Sequence, residues 1–135
     1  MTSKKRQNLR SSLTGLKRLD IESIKYRMVS LGRPAVFFLP SLKINNPENR
    51  AVLENLHLFL TEEFGGYTVE KGNISGFWQD KAKIDYTEHV KYTVAFKGKE
   101  RIPKLANFLV KLAKELSEDA IYIETGEDSW LIYPK

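Results

Sequence analysis

No cysteine occurs among the 135 residues. That excludes disulfides, thiolate metal sites, iron–sulfur ligation and a cysteine nucleophile. Long apolar runs are missing too. No stretch nears the roughly 20 residues that span a bilayer, and no signal-peptide core follows the polar start Met1-Thr2-Ser3-Lys4-Lys5-Arg6. The chain reads as cytoplasmic, with no membrane partner. Histidine is scarce, at His57 and His89 alone, and no spacing of carboxylates around them demands a metal. Gly65, Gly66, Gly72, Gly76 and Gly98 fit neither a dinucleotide fingerprint nor a phosphate loop. Neither a cofactor nor a metal is expected.

Positive charge is present, but only at one end. The net charge is +5, yet residues 1–33 hold nine Lys/Arg against two Asp/Glu, and residues 34–135 are close to neutral. Residues 1–33 therefore read as a basic, partly disordered arm carrying a short helix from Asp20 to Leu31. Residues 34–135 read as a single folded domain. The arm residues Lys4, Lys5, Arg6, Arg10, Lys17 and Arg18 are the expected polyanion contacts, nucleic acid included.

Apolar periodicity orders the body. Ala35-Val36-Phe37-Phe38-Leu39 is a continuous apolar run suited to a central strand covered on both faces. Asn46-Pro47-Glu48 is a helix start, and Gly65-Gly66 is its stop. Between them Val52, Leu53, Leu56, Phe59, Leu60 and Phe64 form one face, with His57 packed at its edge. Tyr67–Lys71 is a second strand, which Ile74–Trp78 continues past a bulge or bend. Residues 79–87 are polar and read as a loop. In Glu88–Lys97, Val90, Tyr92, Val94 and Phe96 alternate with polar residues, so one face is buried. Ile102, Leu105, Leu109, Leu112 and Leu116 mark a second helix. Ala120–Glu124 is a fourth strand, and Ser129–Tyr133 returns as a short fifth strand or the rest of the same hairpin.

A short repeat ties these pieces together. Val69-Glu70-Lys71-Gly72-Asn73-Ile74-Ser75 recurs as Ile123-Glu124-Thr125-Gly126-Glu127-Asp128-Ser129, 54 positions later. Each copy follows an amphipathic helix, which in turn follows a strand. The expectation is an α+β, ferredoxin-like βαββαβ sandwich: a four-stranded antiparallel sheet in the order 4-1-3-2, two helices on one face, and the basic helical extension.

Phe64-Gly65-Gly66-Tyr67-Thr68-Val69, then Gly76-Phe77-Trp78, then Glu88, resembles a bacterial domain family of unknown function. That family carries a Phe-x-x-Gly-x-Thr-Val…Gly-x-Trp…Glu pattern on a ferredoxin-like fold. The resemblance implies the fold and brings no activity with it.

The candidate chemistry is sparse. Glu70, His89 and Glu88 are the acid–base candidates, with Glu70 expected opposite His89, Lys91 or Thr93 and a carboxylate lifting the histidine pKa. Phe77 and Trp78 form a candidate aromatic platform. Tyr92 and Phe96 fall on the buried face, so base stacking on the sheet is not expected. The leading expectation is a non-enzymatic interaction module that dimerises or binds a protein partner through its sheet. Two alternatives stand beside it. One is a small enzyme or ligand-binding domain with a sheet-face pocket around Glu70, His89 and Trp78. The other is a sequence-tolerant nucleic-acid binder acting through the arm.

Overall fold

Gly32 opens the first strand and Pro40 closes it. The computed structural model describes residues 25–80 and 83–135, and the chain divides into Met1–Ser30 and Leu31–Lys135. The helix expected from Asp20 to Leu31 is not formed over its described part, because residues 25–31 hold no helical turn. Three turns are marginal in water without strong tertiary support. Lys4, Lys5, Arg6, Arg10, Lys17 and Arg18 lie outside the described residues.

In Leu31–Lys135, β1 (Arg33–Pro40) runs into a one-turn helix α1 (Ser41–Ile44). A 3-10 turn at Pro47–Asn49 then leads into α2 (Arg50–Phe64). The local chemistry follows the sequence signals. The Asn46 side chain accepts from the backbone N–H of Glu48 at 2.9 Å, and Pro47 takes the first position of the 3-10 turn. Gly65 ends α2 in the left-handed conformation, φ 83°, which costs other residues about 1–2 kcal/mol.

The strands β2 (Thr68–Asp80) and β3 (Lys83–Phe96) make one long hairpin. This corrects the loop expected over residues 79–87 in its described part, residues 79–80 and 83–87. Gln79 pairs with Ile84 and Asp80 with Lys83, so ladder hydrogen bonds hold what polarity alone marks as a connection. The expected bulge is present, with the register shifting between Glu70 and Ile74. Four steps along β2 there match two along β3, so side chains keep their faces on both sides of it.

The remaining elements are α3 (Arg101–Glu115), β4 (Ile121–Glu124) and β5 (Ser129–Ile132). All pairings are antiparallel and the strand order is β2-β3-β1-β4-β5. The expected order 4-1-3-2 is contained in it. Among the described residues the sheet has five strands rather than four, because the second copy of the repeat turns back at Gly126 (φ 94°) while the first copy stays extended through its bulge.

One face of the sheet packs beneath the helices. Ala35, Phe37 and Leu39 from β1, Val90, Tyr92, Val94 and Phe96 from β3, and Ile121 and Ile123 from β4 meet Leu56 and Leu60 of α2 and Leu105, Leu109 and Leu112 of α3. Phe37 stacks on Tyr92 with centroids 5.2 Å apart, and Phe59 of α2 stacks on Phe108 of α3 at 4.1 Å. Such pairs add about 0.5–1.5 kcal/mol beyond area burial. β1 is central as expected, but it is covered fully on one face only. Val36 and Phe38, which alternate with the buried set, are half-buried on the other.

Candidate functional site

Alternation fixes what the open face of the sheet carries. Val36 and Phe38 of β1 share it with His89, Lys91 and Thr93 of β3, Glu70 and Ile74 of β2, and Tyr122 and Glu124 of β4. On this face three adjacent strands contribute a contiguous aromatic row. The Phe38 ring lies 6.0 Å from the His89 ring in an edge contact and 5.5 Å from the Tyr122 ring in a stacked one. The Tyr122 hydroxyl donates to Glu124 at 2.9 Å and lies 3.1 Å from the Ser129 hydroxyl.

The row adjoins a hollow of about 180 Å³ bounded by Pro34, Val36, Glu124, the β4–β5 turn residues Gly126, Glu127 and Asp128, and Ser129 at the start of β5. Its charge is acidic. Arg33 answers one carboxylate, that of Glu127, at 2.9 Å in an exposed pair. Glu124 and Asp128 remain to hold a cation or accept from hydroxyl groups. The turn exists because the second repeat copy supplies Gly126 and an acidic pair where the first has Gly72-Asn73-Ile74.

The acid–base candidates meet the expectation in part, since Lys91 is among the residues expected opposite Glu70. Glu70 stands opposite Lys91 and pairs with it at 3.5 Å. His89 faces Ile74 across the ladder instead. Exposed pairs of the Glu70–Lys91 kind contribute about 0–1 kcal/mol. The pKa of His89 is lowered, not lifted. Burial is the main cause, and the Glu118 carboxylate and a Thr87 backbone hydrogen bond oppose it without prevailing. His89 is therefore a neutral base at pH 7.

Glu88 pairs with Ser75 through the backbone, on the strand position whose side chain turns off this face. Phe77 is exposed and pairs with Tyr86, and Trp78 pairs with Asp85 towards the hairpin tip. The Trp78 side chain lies outside the described part of the structure. Its backbone position is four residues beyond Ile74, so Glu70, His89 and Trp78 are spread along β2 and β3 rather than gathered. Among the described residues no cluster of three or more His, Asp or Glu could hold a metal ion. No helix among them is long and apolar enough to cross a membrane.

Two groups of residues escaped the sequence reading. Phe38 and Tyr122 sit in continuous apolar runs that give no period, so their face could not be read. Tyr92 and Phe96 are buried as expected, and the rings on the open face are Phe38 and Tyr122 instead. The second group lies on the helix-covered side. His57 Nε2 is 2.8 Å from the Tyr92 hydroxyl, and its ring stacks on Tyr67 at 4.8 Å. Burial, with a smaller effect from Lys71, lowers the His57 pKa. Burial and the neighbouring Tyr67 push the Tyr92 phenol well above the usual tyrosine range. His57 packs at the stripe edge as expected, but its polar partner is 35 residues away.

No protein-family model matches this chain, and no curated protein matches it. Among solved structures, a phage SAM lyase in complex with S-methyl-5'-thioadenosine has a similar fold. Its TM-score is 0.54 at 15% identity, covering 82% of this chain and 96% of its own. A phage SAM lyase in the apo state matches with TM-score 0.53 at 11% identity and the same coverage. These neighbours overturn the expectation of a non-enzymatic interaction module. Nearly their whole length, in an enzyme, is the fold seen here.

Proposed function

We propose that this chain is a small enzyme or ligand-binding domain that takes a SAM-type thioadenosine ligand on the open face of its sheet. The observation that carries the reading is the aromatic row His89–Phe38–Tyr122 beside an acidic hollow. A purine has a flat π-face for such a row, worth about 1–3 kcal/mol per stacked base. A sulfonium cation has its complement in Glu124 and Asp128, and aromatic faces attract cations as well. The phage SAM lyase supports the ligand class, because its fold extends over 82% of this chain.

In this reading Phe38 and Tyr122 seat the base. Glu124, oriented by the Tyr122 hydroxyl, holds positive charge or ribose hydroxyls. His89, neutral at pH 7, is the proton acceptor on the face. We also read the architecture as a ferredoxin-like β1-α2-β2-β3-α3-β4 core with β5 added at one edge. The strand order supports this.

Calorimetric titration of the full chain with SAM and with S-methyl-5'-thioadenosine tests the proposal, together with chromatography for SAM consumption. Saturable binding of either compound, weakened in Phe38→Ala, supports it. Absence of binding and of turnover at millimolar ligand by a folded sample would sink it.

A further inference from the structure

A second cavity, of about 280 Å³, opens on the opposite side of the sheet at the foot of α2. It is lined by Ile44, Asn45, Asn46, Pro47, Arg50, Leu53, Glu54 and His57. Its size sits near the lower bound for small-molecule sites. The lining divides into an apolar part and a charged part. Ile44 belongs to the buried core, and Leu53 packs against that core. Arg50, Glu54 and His57 follow at successive turns of α2 and present a cation, an anion and an imidazole along one edge.

Glu and Arg one turn apart on a helix commonly pair with each other. Here, among the described residues, the ion pairs join Arg33, Lys43, Lys91, Arg101 and Lys104 to acidic partners, and neither Arg50 nor Glu54 takes part. Both signs of charge therefore border the cavity with their hydrogen-bonding capacity left for a guest. The third group is held firmly, because His57 is fixed by the Tyr92 hydroxyl and by stacking on Tyr67.

We infer that this cavity binds a free α-amino acid with an apolar side chain. Arg50 takes the carboxylate in the two-pronged geometry a guanidinium favours. Glu54 takes the ammonium, and Ile44, Leu53 and Pro47 receive the side chain. A zwitterion satisfies both charges at once, which a simple anion, a simple cation or a hydrocarbon cannot do. The site is separate from the ligand on the open sheet face, since α2 packs on the other side of the sheet.

Nuclear magnetic resonance of the His57 ring in the full chain, titrated with L-leucine, tests the inference. Two half-ligands serve as controls: 4-methylpentanoate, which lacks the ammonium, and isoamylamine, which lacks the carboxylate. The expected result is a saturable shift with L-leucine, and binding about ten-fold or more weaker for each half-ligand. Arg50→Gln and Glu54→Gln are both on exposed positions, so the fold survives them. Each is expected to weaken L-leucine about ten-fold or more. Arg50→Gln should leave isoamylamine unchanged, and Glu54→Gln should leave 4-methylpentanoate unchanged. Absence of a saturable shift overturns the proposal. So does equal binding of a half-ligand, or indifference of L-leucine to both substitutions.

Discussion

The imidazole of His57 and the phenol of Tyr92 meet Nε2 to oxygen at 2.8 Å, joining α2 to β3 beneath the helix layer. Tyr92 is 2% exposed, so its hydroxyl has no water to fall back on, and a buried hydroxyl left unsatisfied is costly. Burial keeps both groups neutral. A neutral phenol donating to Nε2 leaves the ring proton on Nδ1. Nitrogen-15 shifts of His57 should therefore show the Nδ1–H tautomer. Tyr92→Phe, which keeps the Phe37 stack, should cost about 1 kcal/mol in urea unfolding. A cost near zero would mean that the contact contributes nothing net.

Both histidines make stability depend on pH in one direction. Each has a folded pKa below the ordinary histidine value of 6.5, so the unfolded chain binds the proton more readily. Their contribution is present above pH 6.5 and is lost as pH falls through the depressed folded values. Denaturation midpoints measured from about pH 7.5 downward should drop, and the slope should flatten in the double variant His57→Gln/His89→Gln. An unchanged slope would refute the assignment.

Two glycines should respond unequally to alanine. Gly65 is left-handed, with open space where a Cβ would go, so Gly65→Ala should cost only the backbone term, about 1–2 kcal/mol. Gly32 has φ 95°, and an added Cβ there would collide with the Phe96 backbone carbonyl. Gly32→Ala should lower the thermal midpoint clearly more than Gly65→Ala does.

On the open face, Phe38→Ala should weaken S-methyl-5'-thioadenosine about ten-fold, in line with the loss of one stacking surface. Glu124→Gln should weaken SAM more than S-methyl-5'-thioadenosine, because only the former carries the sulfonium charge. Equal losses for the two ligands in calorimetry would remove Glu124 from that role.

What could be read from the chain alone divides along a physical line. Asn46, Pro47 and Gly65 announce the ends of the first helical segment, because capping and left-handed backbone depend on a few adjacent residues. The stripe through Leu105, Leu109 and Leu112 and the alternation of Val90, Tyr92 and Val94 give buried faces by period alone, and all of these are in the core. Residues 79–87 gave no such signal. The strand character of residues 79–80 and 83–87 comes from the partner strand opposite, which no local pattern encodes. The site was less legible than the fold. Phe38 lies inside an unbroken apolar run, and Tyr122 lies between two buried isoleucines. Arg50 and Glu54 look like any solvated pair on a helix until the α1 turn closes a wall beside them.

Among the described residues β2 is the outermost strand of the sheet, and its main chain runs along that margin as a row of donors and acceptors. Its irregularity between Glu70 and Ile74 interrupts that row midway. A foreign peptide or a second copy trying to extend the sheet there would find its hydrogen-bonding rhythm broken within a few residues. A long margin of this kind otherwise invites fibrillar growth, and the extra residues around Gly72 act as a built-in guard against it.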